Sequence, residues 1–253
     1  MAREDDFNEL PRRVMTLFLL VDTSGSMITN RNIEKVNSAI EEMIPLLKEV
    51  SDENAEAEIK IAVMEFSTGC RWVTHDELGQ EGAESLDTFV WNNLKASGLT
   101  DMGAAFTELE SKLSRSAFMK STTGAYAPVI ILLSDGQPTD DIKPGMDKLK
   151  SNNWYRAATK IAISVDDGDD AVLATFTGSI ESVLKVNSDR DDLKRMVCKL
   201  AVFSSTRQSR SVTAGNSGSD DDVAKQLAKE AVDQVKDDNN SGTSTDPWGS
   251  GGW

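Results

Sequence analysis

Cysteine and histidine are nearly absent: the 253 residues include two cysteines and one histidine. Cys70 and Cys198 lie far apart and form neither a Cys-x-x-Cys metal pair nor a disulfide framework. A soft-metal site is therefore excluded, and a reducing compartment is the simpler reading. Any Ser–His–Asp hydrolase would have to use His75, yet the chain has no Gly-x-Ser-x-Gly elbow, so His75 reads as a surface or edge-strand residue. The phosphate loop Gly-x-x-x-x-Gly-Lys-Ser/Thr and the dinucleotide fingerprint Gly-x-Gly-x-x-Gly are also missing. Basic charge is in short supply, with 27 Lys and Arg against 42 Asp and Glu, a net charge of −15. That deficit argues against sequence-independent binding to nucleic acid or an anionic membrane, since both need a basic face. Long apolar runs are lacking as well. Val14–Val21 and Val129–Leu133 are far shorter than the roughly 20 residues of a membrane span. Arg12 and Arg13 before an apolar stretch imitate a signal peptide, but Asp22 stands where small cleavage-site residues belong. The chain is expected to be cytoplasmic.

What is present is a regular alternation of buried strands and amphipathic helices. With 39% hydrophobic residues, the chain can bury a sizeable core. The continuously apolar run Val14–Val21 suits a strand covered on both faces. Ile33, Val36, Ile40, Met43, Ile44, Leu47 and Val50 recur at helical spacing, with Asn30 as the expected cap and Pro45 as the expected kink. Strands are expected at Ile59–Phe66, Cys70–Thr74, Pro128–Leu133, Lys160–Val165 and Ser182–Val186. Helices are expected near Leu86–Leu94 and at Ala104–Leu113, Ile142–Ser151, Asp170–Phe176 and Asp189–Ala201. The turn Ser67-Thr68-Gly69 makes the second and third strands antiparallel. This order implies an α/β fold: a doubly wound, mostly parallel sheet with one short antiparallel edge strand and helices on both faces.

The chain divides accordingly. Residues 1–11 form an N-terminal extension and 12–202 the α/β domain. Residues 203–219 are rich in Ser, Gly and Thr and read as a flexible linker. Residues 220–236 carry an apolar stripe at Val223, Leu227, Ala231 and Val235, the pattern of an amphipathic helix. Residues 237–253 are a low-complexity tail containing Trp248 and Trp253.

Sites in open parallel sheets form beyond the carboxyl ends of strands. Three polar clusters fall there. The first strand runs into Asp22-Thr23-Ser24-Gly25-Ser26, Thr100 precedes a helix, and the Val129–Leu133 strand runs into Ser134-Asp135-Gly136. The alternate spacing of Asp22, Ser24 and Ser26 turns three oxygen-bearing side chains toward one point. With Thr100 and Asp135, the set is three hydroxyls and two carboxylates, with no nitrogen or sulfur. Such oxygen donors suit a hard cation, Mg2+ before Mn2+ or Ca2+. Taken singly, these residues are ordinary turn formers and Thr100 an ordinary helix cap; it is their combination that points to metal. Asp166-Asp167-Gly168-Asp169-Asp170 lacks the full EF-hand ligand pattern and reads as a solvated loop. Trp72, Trp91 and Trp154 read as packing residues.

Asp22-x-Ser24-x-Ser26, the downstream Thr100 and Asp135-Gly136 together resemble the metal-ion-dependent adhesion site of von Willebrand factor type A (VWA) domains. The resemblance covers about residues 12–202. It implies that the hydroxyls of Ser24, Ser26 and Thr100 ligate the metal directly, while Asp22 and Asp135 act through waters. A cation held by neutral ligands keeps much of its charge and attracts an Asp or Glu from a protein partner. Ser134–Asp140 and Leu99–Gly103 are further similar to the bacterial TerY-like proteins of tellurium-resistance clusters. That narrower resemblance implies a stress or phage-response role, with a protein kinase or PP2C-like phosphatase as partner. The expected function is a non-enzymatic, Mg2+-dependent protein-interaction module. The alternatives are a metal-dependent phosphohydrolase or phosphotransferase, and a structural subunit of a complex. No nucleic-acid or membrane partner is expected, and self-association through the tail, with Asp246 or the terminal carboxylate of Trp253 as the carboxylate, is a further expectation.

Overall fold

A computed structural model describes residues 12–166 and 168–186, together with residues 222, 225, 226, 228–230, 232 and 233. The sheet is built from β1 (Arg13–Asp22), β2 (Ala57–Ser67), β3 (Gly69–Trp72), β4 (Glu84–Ser85), β5 (Val129–Ser134), β6 (Thr159–Val165) and β7 (Val183–Val186). Its order is β3-β2-β1-β5-β6-β7. The β1–β2, β1–β5, β5–β6 and β6–β7 pairs are parallel. The free edge of β2 takes two antiparallel segments, β3 and the two-residue β4, rather than the single one expected. The fold is the mostly parallel α/β sandwich anticipated from the strand–helix alternation, with β1 at its centre.

Alternation along each strand sorts the core into two layers. Met15, Leu17, Leu19 and Val21 of β1, Ile59, Ile61 and Val63 of β2, and Ile131 and Leu133 of β5 face one side. There they meet Val36, Ala39, Ile40, Met43 and Leu47 of α1 (Asn32–Glu53). Ala228 and Val232 are buried in that same layer. Phe18, Leu20, Ala62, Met64, Ile130 and Leu132 face the other side. That side is covered by α2 (Met102–Lys112), α3 (Lys143–Ser151), α4 (Asn153–Ala157) and α5 (Asp170–Thr177). A strand apolar at every position is thus explained by helices on both faces.

α1 runs without a break through Pro45, which sits on its exposed side. Water can there satisfy the Glu41 carbonyl that the missing N–H leaves free. Asn30 does not cap this helix. It is left-handed (φ 52°), as is Arg31 (φ 58°), which occupies the cap position. The Asn30 amide donates instead to Asp166, 2.9 Å away.

The helix expected near Leu86–Leu94 is absent: the segment is a turn followed by chain without regular secondary structure. Leu86, Phe89 and Leu94 are all buried, in the layer that α1 covers. The buried Asn37 side chain acts as its pairing partner. Its amide donates to the Leu94 carbonyl (2.9 Å), and its oxygen accepts from the Leu94 N–H (2.8 Å). Conversely, α4 was not anticipated. Asn152 starts it by accepting from the backbone N–H groups of Trp154 (2.9 Å) and Tyr155 (3.3 Å). Residues 222, 225, 226, 228–230, 232 and 233 are helical. The expected helix Asp189–Ala201, the 203–219 linker and the 237–253 tail lie outside the described residues.

Candidate metal centre

β1 and β5 are parallel neighbours, so Asp22 and Ser134–Asp135 emerge side by side at the carboxyl end of the sheet. Asp22 is fully buried. One of its oxygens accepts from the Ser24 N–H (2.8 Å) and the other from the Ser134 hydroxyl (2.6 Å). Burial pushes the Asp22 carboxyl above its ordinary value, the negative charge of Asp135 adds to the rise, and the Ser134 and Ser24 hydrogen bonds oppose it. Ser134 also accepts from the Gly136 N–H (2.9 Å), so one hydroxyl ties the two strand ends together. Ser24 is buried and Ser26 exposed, with their hydroxyl oxygens 2.9 Å apart.

Thr100 arrives on a separate loop held against the first. Ser97 N–H donates to the Thr23 carbonyl (2.7 Å) and Gly25 N–H to the Gly98 carbonyl (3.1 Å). Gly98 is required here: it has φ +81°, and a Cβ would sit 2.6 Å from the Thr68 hydroxyl. Thr100 is buried and clamped to the β5 loop in both directions. Its N–H donates to the Thr139 hydroxyl (2.9 Å), and its carbonyl accepts from the Thr139 N–H (2.9 Å). The capping role expected of Thr100 belongs to Asp140, whose carboxylate accepts from the Gly103 and Ala104 N–H groups, both at 2.9 Å, at the start of α2. Asp135 is nearly buried and accepts from the Gln137 N–H (3.2 Å).

The five expected residues therefore stand on three loops at one end of the sheet, and the loops are bonded to one another. Sequence reasoning missed the residues that hold them there. Ser134 was visible as a polar residue at a strand end. Thr139 stood out only as part of the Ser134–Asp140 stretch and Asn32 carried no signal, because their roles depend on contacts across the fold. Asn30 and Asn32 both donate to one oxygen of Asp166, at 2.9 and 2.5 Å, pinning the chain after Ser26 to the end of β6. Asp166 is itself left-handed (φ 54°), so this acidic loop does structural work beyond solvation. Asp169 likewise accepts from the N–H groups of Ala171 (3.0 Å) and Val172 (3.2 Å) and starts α5.

The donor chemistry fits a hard divalent cation. No group of three His, Cys, Asp or Glu side chains suited to a metal occurs among the described residues. Cys70 offers no thiolate: burial, with Glu108, Asp101, Glu81 and Asp140 adding to it, pushes its thiol up to about 11. His75 is exposed, and its backbone bridges Glu81 at the sheet margin. Trp72 is buried and donates to Glu108 (2.9 Å), as a packing residue does. Among the described residues, no helix is long and apolar enough to cross a membrane.

Residues 16–199 match the family model described as von Willebrand factor type A domain. No curated protein matches the chain in sequence. Among solved structures, proximal thread matrix protein 1 from the mussel byssus, with a zinc-occupied MIDAS motif, superposes with a TM-score of 0.52 at 18% identity, over 76% of this chain and 48% of that one. The ArnB paralog VWA2 of Sulfolobus acidocaldarius gives 0.51 at 19% identity, over 74% and 44%. The pilus adhesin SpaC of Lactobacillus rhamnosus GG, in its open conformation, gives 0.51 at 12% identity, over 79% and 30%. The chain thus corresponds to less than half the length of each of these three proteins, and at such identities the likeness is one of fold.

Proposed function

Because the chain belongs to the von Willebrand factor type A family, we propose that Asp22, Ser24, Ser26, Thr100 and Asp135 hold a divalent cation, Mg2+ before Mn2+ or Ca2+, and that the site binds an acidic residue of a protein partner. The observation that carries this reading is the meeting of three oxygen-bearing loops at one end of the sheet: the loop of Asp22, Ser24 and Ser26 is hydrogen-bonded to the Thr100 loop and to Ser134 beside Asp135, and the Thr100 loop is bonded to Thr139. The family resemblance implies that the Ser24, Ser26 and Thr100 hydroxyls are the direct donors. A bound cation supplies positive charge that neutral ligands leave largely uncancelled, and so attracts a carboxylate. The chain's own residues do the rest. Ser134 orients Asp22, Thr139 fixes Thr100, and Asp166 holds the connection into α1 through Asn30 and Asn32. The zinc-occupied relative supports a divalent ion at a site of this kind.

The module acts in this reading as a non-enzymatic adaptor in the cytoplasm. Ser134–Asp140 and Leu99–Gly103 support the narrower proposal of a TerY-like role in bacterial stress or tellurium resistance, with a protein kinase or PP2C-like phosphatase as partner. Tellurium itself would be met indirectly, since no soft-metal site is available to it.

The test is affinity capture from native lysate by wild type with Mg2+, wild type with EDTA, and Ser24→Ala/Ser26→Ala with Mg2+. A protein retained by the first alone is the expected result. An identical catch in all three would remove the metal site as the docking site. Circular dichroism should show the double variant folded as wild type.

A further inference from the structure

The rim of the candidate site is apolar at two points. Ile28, two residues beyond Ser26, is 61% exposed, and Leu99, next to Thr100, is 55% exposed. The loops that carry them meet at the Gly25–Gly98 hydrogen bond (3.1 Å). These are two of the five large exposed hydrophobics among the described residues, and both border the metal loops. A ligand suited to this face presents a carboxylate with a large apolar group beside it.

The chain carries such a ligand. From Asn239 to Trp253 the sole charged side chain is Asp246, and it is followed by Pro247 and Trp248 in a Gly- and Ser-rich context. We propose that Asp246 docks on the Ser24–Ser26–Thr100 face of its own molecule, with Trp248 on Ile28 and Leu99, and competes there with a partner's carboxylate. This rests on the metal-dependent reading above.

The tether fits the span. Val232 is anchored in the core, and Lys229 pairs with Glu181 (2.9 Å), just before β7. The anchor therefore lies toward the end of the sheet remote from the site. The distance to cover combines the length of β6, whose 7 residues extend roughly 23 Å, with the strand spacings of about 5 Å each that separate β7 from β1. The 14 residues from Val232 to Asp246 reach about 45 Å when extended. A tether long enough to reach the site raises the effective concentration of Asp246 there, which favours docking within one molecule over pairing between copies.

The experiment uses the full chain and a fluorescent peptide of residues 240–253, amidated at its C-terminus. With Mg2+, Asp246→Asn should bind the peptide at least tenfold more tightly than wild type, and EDTA should abolish binding to both. In the Asp246→Asn background, Ile28→Ser and Leu99→Ser should each weaken the peptide severalfold while Mg2+ uptake by calorimetry stays the same. Equal peptide affinity for wild type and Asp246→Asn would overturn the inference. So would Mg2+ uptake without peptide binding, or Mg2+-dependent dimers of wild type in sedimentation, which would place the tail on a second copy. A chain that takes up no Mg2+ would instead remove the underlying metal reading, and this inference with it.

Discussion

At the scale of the residue, Asp22 carries a cost that only a cation or a proton relieves. Burial holds its carboxyl above the ordinary value of 3.8. In metal-free buffer the folded state therefore binds this proton more tightly than the unfolded chain does. The Asp22 contribution to stability is most favourable below the unfolded value and is lost as pH rises through the folded value. Asp22→Asn keeps an oxygen for the Ser24 N–H and turns an amide toward Ser134, whose hydroxyl oxygen can accept it. In EDTA the variant should unfold at higher urea than wild type at pH 7, and the gap should close on approach to pH 4. With Mg2+ the order should reverse, because the variant loses the stabilisation that binding of a ligand to the native state provides. A gap in EDTA that is the same at both pH values would contradict this account.

At the scale of the element, the segment 86–94 shows how one side chain can hold a stretch of irregular chain. Its apolar residues satisfy a helical pattern loosely, yet it forms no helix, and Asn37 offers the Leu94 backbone both a donor and an acceptor from inside α1. Asn37→Ala would orphan a buried N–H and a buried carbonyl. It should lower stability by about 1–3 kcal/mol, read as a fall in the urea midpoint. Because this segment leads into Gly98 and Thr100, Mg2+ affinity should fall as well. A variant with an unchanged midpoint would show that apolar packing of Leu86, Phe89 and Leu94 alone holds the segment.

At the scale of the whole molecule, the two faces of the sheet are covered unequally. α2 to α5 lie on one face, whereas α1 lies on the other with Ala228 and Val232. Ile161, Ile163 and Leu184 belong to that second layer. The helical residues around Val232 thus contribute to the same core as β1, although more than forty positions separate them from β7. Val232→Ser should cost roughly 2 kcal/mol through lost apolar burial and an added hydroxyl. A midpoint equal to that of wild type would mean that the core closes without this residue.

The local chain determined much of this protein. Strands apolar at every position, and the three- and four-residue spacing of α1, encode burial on two faces and on one stripe. That encoding is local, so β1, α1, β2, β5 and β6 were legible to within a few residues. So was the delivery of Asp22 and Asp135 to one edge, because the parallel strands β1 and β5 end there side by side. Tertiary structure decided the rest. Asp140 rather than Thr100 caps α2, Asn30 turns left-handed to reach Asp166, and Asn37 holds the Leu94 backbone. Each choice is made by a hydrogen bond between residues distant in sequence. A buried polar group takes whichever partner the fold brings within reach, and no periodicity in the chain records which partner that is.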